Sequence, residues 1–509
     1  MVKRGVKNII WGVLGQLITI AVGIVVPRLV LTSFGSEING LLNSITQIFA
    51  YFTLIEAGIG VTTTQALYKP TAEQDRDGVN GILSATSRYY KRVAVFYLIA
   101  VIAFAVIYPF TVKSSLPKSW IFLIIILNGL GSVINFWVQG KYTIFLGSIG
   151  KSYINTNLGT VCNVLTSASK IILLMNGCDV LQLQVVYFVI SILKMLFIYW
   201  YIKKNYPWIN VKAKPNYNAL NQKNSVFIHQ ISFLIFSNTD ILLITYFLGL
   251  KEVSVYSMYL MFFTYVNVFA TQIYNGFTFR LGQIYQKSIE LYKKYHDIFE
   301  VFYLSVVFIM FTMTFLFIVP FLGLYTSGVN DINYLDWKLA LLFFIMQLLS
   351  CGRNSSIMVI NYAGHFKNTL KQTIIESAIN LIASIVFLQL FGVYGVLMGT
   401  IAALLYRMID MVVYANKKLL NRSSFITFRR WLIDVAVAAI IIFVFSRIPF
   451  EFNSYLQIIL IAVITGVVIT AIYLLTAMIT ERKAFKDAVE LIKSILQRRK
   501  NRNTSNTET

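Results

Sequence analysis

Apolar positions in this chain come in long runs instead of alternating with polar ones. Stretches of about 20 residues rich in Ile, Leu, Val, Phe, Tyr and Ala recur with short polar breaks between them. Each is long enough to cross a hydrocarbon core of about 30 Å as a helix. Fourteen such runs lie near residues 8–31, 38–66, 89–110, 119–140, 153–176, 180–202, 224–248, 253–278, 298–320, 337–362, 368–391, 393–416, 430–448 and 454–480. The pattern predicts an all-α integral membrane protein. No break exceeds about 25 residues, which leaves no room for a separate soluble catalytic or nucleotide-binding domain.

The runs repeat. The first ends at "LTSFGSEING" with Gly35 and the seventh at "TYFLGLKEVS" with Gly249, 214 residues later. "LGSIGKSYI" places Lys151 after run 4, and "YAGHFKNTL" places Lys367 after run 10, 216 residues on. Runs 6 and 12 end in Lys203-Lys204 and Lys417-Lys418, again 214 apart. The expected organisation is a six-helix lobe over 1–203, a cytosolic linker over 204–223, a second six-helix lobe over 224–418, two further helices within 419–480, and a basic tail over 481–509. Six is even, so both lobes enter the membrane from the same side and are related by an axis along its normal. Such parallel repeats are a standard transporter design, with substrate held between the halves and access alternating across them.

Composition agrees: 57% of residues are hydrophobic and 13% charged, against roughly 25% charged in a soluble domain, and mean hydropathy is +0.69. The net charge of +23 is explained by its placement. With the first terminus inside, thirty-four of the 44 Lys and Arg fall in cytosolic segments, and five (Lys113, Lys118, Lys251, Lys338, Arg447) fall outside. That bias puts both termini in the cytosol. It also makes anionic lipid, not nucleic acid, the partner of the basic excess. Two basic cytosolic stretches have helical apolar stripes and are expected along the inner membrane surface. One carries Ile284, Leu291, Tyr295 and Ile298; the other, in the tail, carries Phe485, Val489, Ile492 and Leu496.

Chemistry-bearing motifs are absent. "GSIGKS", 147–152, resembles a phosphate loop, but Phe145 stands where the first glycine is needed and a spanning helix precedes it. The three histidines are far apart, and Cys162, Cys178 and Cys351 have neither disulfide nor metal-ligand spacing. No catalytic residue and no metal site are expected, and the chain is not read as an enzyme.

The informative residues are ionisable groups well inside the runs: the cations Arg28, Lys170, Lys194, Arg353 and Arg407 and the acids Glu56, Asp240, Glu376 and Asp410. A charge at the bilayer centre costs about 2.5 to 3.5 kcal/mol on insertion scales. Arg407 and Asp410 are three residues apart on one helix and can neutralise each other. Lys194, Lys170, Arg353 and Arg28 have no acid at such offsets and need acids on other helices, water or a bound anion. Lys194 and Arg407 are 213 apart, so each lobe places a cation at the same point. The five cations are therefore read as candidates for holding an anionic headgroup, and the four acids as salt-bridge partners or carriers of a coupling ion. No cofactor is expected beyond a coupling proton or sodium ion, and Asp240 is the preferred carrier. Gly12, Gly15 and Gly23, and the pair Gly395 and Gly399, permit close helix approach.

"FGSEINGLLNSITQIFAYFTLIEAGIGVTTTQALYKPTAEQD", residues 34–75, resembles the Wzx-type polysaccharide flippases of the multidrug/oligosaccharidyl-lipid/polysaccharide (MOP) superfamily. The likeness is carried by "FGSEINGLLN" after the first run, "EAGIG", "ALYKP" and, in the second lobe, "YAGHFKNTL". It implies a MATE-like plan of fourteen helices in the bacterial cytoplasmic membrane. It also implies translocation of undecaprenyl-diphosphate-linked repeat units to the outer leaflet for capsule or exopolysaccharide, with membrane lipids, a polymerase and glycosyltransferases of the same pathway as partners. The diphosphate suits Arg and Lys donors, and Asn43, Gln47, Asn238 and Gln272 suit the glycan. The runners-up are a peptidoglycan-precursor (lipid II) flippase, a small-molecule exporter of the same superfamily, and a lipid scramblase or scaffold of the synthesis machinery.

Overall fold

The computed structural model describes residues 2–56, 59–217, 234, 238–365, 367–448, 452–491 and 493, and all of its regular elements are helical. In chain order they are α1 (Val2–Phe52), α2 (Ile59–Ala72), α3 (Arg76–Thr111), α4 (Lys118–Ile134), α5 (Gly140–Ser148), α6 (Ser152–Met175), α7 (Val180–Asn205), α8 (238–247), α9 (Leu250–Lys287), α10 (Ile289–Tyr325), α11 (Trp337–Gly352), α12 (Asn354–Tyr362), α13 (Leu370–Phe391), α14 (Val393–Val413), α15 (Phe425–Phe445) and α16 (Tyr455–Thr480). Residues 482–491 form a further short helix. Ten of the described helices are long and apolar enough to span a membrane. The expected fourteen are compatible with this. α1 holds two runs that meet at a non-helical Gly35, run 7 lies partly outside the described residues, and α15 carries Arg429, Arg430 and Asp434.

The turns show the repeat in the backbone. Gly35 and Gly249, Gly150 and Gly364, and Gly177 and Gly392 are separated by 214, 214 and 215 residues, and all six have φ between 59° and 101°. Residues with a Cβ rarely adopt that conformation. The chain therefore places the same turn chemistry at the same ordinal positions in each half.

Cα packing divides the chain into two compact units, Met1–Ser257 with Gly328–Ile332, and Met258–Ser327 with Asn333–Thr509. In the first, Tyr90, Tyr97, Val101, Ile124 and Phe136 form a buried core. Polar pairs then join α1 to the later helices: Asn39 Nδ2 donates to Ser254 Oγ at 2.7 Å, Ser44 Oγ lies 2.7 Å from Thr245 Oγ1, and Tyr51 Oη lies 2.7 Å from Thr239 Oγ1. In hydrocarbon, where apolar contact between helices gains little, such pairs and small residues are what hold helices together. Gly40 fits this arrangement, because a Cβ there would run into the carbonyl of Leu250.

The second unit is built around stacked aromatics: Phe263 lies between Phe311 and Phe343, with centroids 6.3 and 5.7 Å away. Its α13–α14 hairpin turns at Gly392, and Gly395 and Gly399 let the two helices touch, since a Cβ on either would overlap backbone at Phe387 or Ser384. Gly12 and Gly15 have side-chain positions outside the described set.

Both amphipathic stretches fall on helices. The first is the junction of α9 and α10, broken at Ser288, whose hydroxyl caps α10 by accepting from Leu291 N. In the second, Phe485 turns inward against a cluster of Val301, Ala477 and Ala484 and lies 6.1 Å from the ring of Phe302, because the adjacent end of α10 offers it an apolar partner. Ile492 and Leu496 lie outside the described residues.

Candidate functional site

In the second unit four of the singled-out ionisable residues come together. Arg353 sits at the break between α11 and α12. Its Nη1 donates to Glu376 Oε1 of α13 at 2.6 Å. Glu376 also meets Arg407 of α14, Nε to Oε2 at 3.4 Å. Arg407 Nη1 donates to Asp410 Oδ2 at 2.6 Å, as the i,i+3 spacing predicted, and Arg407 Nη2 donates to Thr373 Oγ1 at 3.1 Å. Arg407 is 3% exposed and Glu376 7%. Two guanidinium groups and two carboxylates make a chain of no net charge, the arrangement that buried charges require.

The first unit differs. Lys170 of α6 lies over the ring of Tyr187 of α7, 5.7 Å from its centroid, an attraction without charge neutralisation. Lys194 of α7 is half-buried, and its charge is felt at Cys162 of α6. Among the described residues no carboxylate lies within 4.0 Å of Lys170 or Lys194. A third cation, Lys141 at the start of α5, is 6% exposed; its Nζ donates to the Trp137 carbonyl at 3.2 Å and lies 5.2 Å from the Tyr142 centroid. The sequence reading passed over Lys141 because it ends an apolar run. The structure carries the helix onward through a π stretch, Asn135–Gln139, and such bulges are common at functional sites.

The acids of this unit are held by tyrosines. Tyr90 Oη donates to Glu56, and Tyr256 Oη donates to Asp240 Oδ2 at 2.8 Å, with Asp240 7% exposed. Arg28 is half-buried in α1, and its carbonyl accepts from Thr32 Oγ1 at 3.0 Å. Of the proposed glycan-lining amides, Asn43 Nδ2 donates to the Asn39 carbonyl at 2.9 Å, Asn238 Nδ2 donates to the Leu234 carbonyl at 3.2 Å, Gln47 is half-buried and Gln272 is exposed.

A second ionic assembly was not legible beforehand. Asp297 and Glu300 of α10 face Arg422, ahead of α15, and Arg430 on it. Arg422 Nη1 and Arg430 Nη1 reach Asp297 Oδ1 at 2.7 and 2.9 Å. Arg430 also bonds Glu300 and, through Nη2 at 3.0 Å, Glu481 beyond α16. Glu481 further pairs with Arg429. His296, Asp297 and Glu300 offer three ligand-type atoms within 4.8 Å of one another. The arginines already occupy the two carboxylates, so the trio is a salt-bridge node rather than a metal centre. The clue in the sequence was the pairing of "HDIFE" with "FRRW"; both lie at the edges of apolar runs, where charges attract little notice.

This helical architecture is shared with solved membrane proteins. Among solved structures, the chain matches the lipid II flippase MurJ in an inward closed conformation with a TM-score of 0.69 and 14% identity, over 93% of this chain and 99% of that one. It matches a multidrug resistance MATE family transporter of the MOP superfamily, inward-facing, with a TM-score of 0.61 and 15% identity, over 79% of this chain and 93% of that one. An outward-facing MATE transporter of the superfamily gives 0.53 and 15%, over 79% and 93%. No protein-family model matches the sequence. No curated protein matches it either.

Proposed function

We propose that the chain is a flippase that moves undecaprenyl-diphosphate-linked oligosaccharide repeat units from the cytosolic to the outer leaflet, by alternating access between its two repeats, for capsule or exopolysaccharide assembly. It works in the bacterial cytoplasmic membrane with both termini in the cytosol. One observation carries the reading: among the described residues the cations of the first unit, Lys170 and Lys194, have no carboxylate within 4.0 Å, whereas Arg353 and Arg407 of the second unit are neutralised. An uncompensated lysine in an apolar helix is stabilised by an anion, and a diphosphate supplies one. The headgroup role assigned to five cations thus falls chiefly to Lys170 and Lys194. Arg353, Arg407, Glu376 and Asp410 hold the second repeat together, and Asp240 remains the candidate carrier of a coupling ion. The sequence likeness to Wzx-type flippases and the fold shared with a flippase over 93% of the chain support the same class of cargo.

The test is a chromosomal deletion complemented by the wild type, Lys170→Ala or Lys194→Ala at matched membrane levels. Surface polymer should return with the wild type and fall at least several-fold with either variant, with lipid-linked repeat units accumulating on the cytosolic side. Full polymer export by the double variant would remove the two lysines from the mechanism. The fold shared with a lipid II flippase favours a second reading, transport of the peptidoglycan precursor. A deletion that arrests cell-wall growth while leaving surface polymer intact would select it.

A further inference from the structure

The surface of α6 divides between two solvents. At about 100° per residue, Asn155, Thr156, Thr160, Asn163, Thr166 and Ser167 share an arc of about 140°. Gly159 lies within that arc and Lys170 ends it. From Asn155 to Lys170 the stripe runs about 22 Å along the helix, most of the thickness of a hydrocarbon core. On the opposite side Val161, Leu165 and Ile172 are 54%, 52% and 61% exposed, as suits lipid.

The polar stripe is not packed away. Thr156 and Asn163 are exposed, and Asn155, Thr160, Thr166, Ser167 and Lys170 are half-buried. Among the described residues nothing lies within 4 Å of a Cβ built on Gly159. α6 is long and apolar enough to span a membrane, and amides and hydroxyls left against hydrocarbon are costly, so a stripe of them with space before it borders water.

Its composition points to the solute. α6 contains no acidic residue, which removes the carboxylates that a cation pathway uses. Asn, Ser and Thr each offer both a donor and an acceptor. Thr160 Oγ1 donates to the Thr156 carbonyl at 3.1 Å, which leaves its lone pairs for a ligand. Lys170 places a charge at one end, and Cys162, where the charge of Lys194 is felt, borders the stripe. A neutral hydrogen-bonding row beside two ammonium groups matches a solute that is anionic at one point and rich in hydroxyls along its body.

We propose that the α6 stripe binds the glycan of the lipid-linked cargo, with Asn155, Asn163 and Thr166 bonding sugar hydroxyls while Lys170 and Lys194 take the diphosphate. This rests on the flippase reading and adds the glycan-binding face to it.

The test has two arms. In the first, the full-length protein with its three cysteines replaced by serine carries Asn163→Cys, Thr166→Cys or, on the apolar side, Leu165→Cys. It is labelled with a water-soluble maleimide in permeabilised cells that make lipid-linked repeat units and in cells lacking the glycosyltransferase that starts them. Positions 163 and 166 should label and 165 should not, and the repeat units should lower labelling of the first two at least several-fold. In the second arm, Asn163→Leu combined with Thr166→Val should lower surface polymer about tenfold at matched membrane levels, about threefold for each hydrogen bond lost. Asn163→Gln, which keeps the amide, and Leu165→Phe should export normally. If the cysteine-free protein does not insert, the export arm decides. The proposal is overturned if positions 163 and 166 resist the reagent, if they label equally with and without repeat units, or if the double variant exports as the wild type does. Polymer lost in the deletion but restored by the double variant overturns this proposal alone, whereas polymer left intact by the deletion overturns the flippase reading with it.

Discussion

Arg353 and Glu376 are 23 residues apart in the chain and on different helices, yet Nη1 and Oε1 stand 2.6 Å from each other. Their side chains are 15% and 9% exposed, so water does little to support either charge. Replacing Glu376 by Gln leaves two guanidinium groups sharing one carboxylate, and breaking a buried pair in this way costs about 3 kcal/mol. Glu376→Gln should lower the unfolding midpoint clearly, and adding Arg353→Met should recover part of the loss. A double variant as unstable as the sum of the singles would show that the two groups act independently.

Lys194 and Arg407, the same distance into their repeats, should respond differently to truncation. Among the described residues Lys194 has no carboxylate to strand, so Lys194→Ala should keep its unfolding midpoint, within about 0.5 kcal/mol for a site without such a partner, while impairing export. Arg407→Ala strands Asp410 and leaves Glu376 with Arg353 alone, and it should lose stability together with export. Equal thermal losses in the two variants would contradict the difference in charge balance.

Gly399 packs where a Cβ would overlap the backbone of Ser384. Gly399→Val should therefore separate α13 from α14 at a cost of about 1 to 3 kcal/mol, at the upper end because backbone cannot move aside. Gly159 on α6 has nothing within 4 Å of the added atom, so Gly159→Ala is the matched control and should retain the wild-type midpoint. Comparing folded yield on size exclusion would decide the matter.

Glu37 lies at the turn between the first two runs and accepts from the Ser115 N–H and hydroxyl. Burial by itself would raise its carboxyl, but the hydroxyls of Ser115 and Ser114, the Ser115 N–H and the charge of Lys251 outweigh it and hold the pKa below the usual carboxylate range. A lowered folded-state pKa means stability that is complete above the unfolded value and is lost as pH falls through the folded one. Wild type should be the more stable at neutral pH and should converge with Glu37→Gln below about pH 4. A constant difference across the titration would exclude this carboxylate as the source.

Much of the fold was legible in the sequence because the bilayer imposes one dominant requirement, a helix of about 20 apolar residues. α6 and α7 begin and end within three residues of the expected runs 5 and 6. The pair Gly35 and Gly249 was readable for a similar reason, since a left-handed turn selects its residue locally. The pairing of Arg407 with Asp410 was visible too, because three residues along a helix fix a distance. The break at Arg353 and the π stretch before Lys141 were not, since both are adjustments of helices to their neighbours.

The sequence alone predicted that the chain crosses a membrane many times and is built of two like halves with two added helices, and it located charges where hydrocarbon penalises them. Periodicity, length and local spacing are properties of the chain itself and need no neighbour. Only the tertiary structure decided which of those charges are satisfied: Glu376 reaches two arginines, and Lys170 and Lys194 have no carboxylate within 4.0 Å among the described residues. Neutralisation depends on distances of about 3 to 4 Å between helices far apart in the chain, and packing sets those distances.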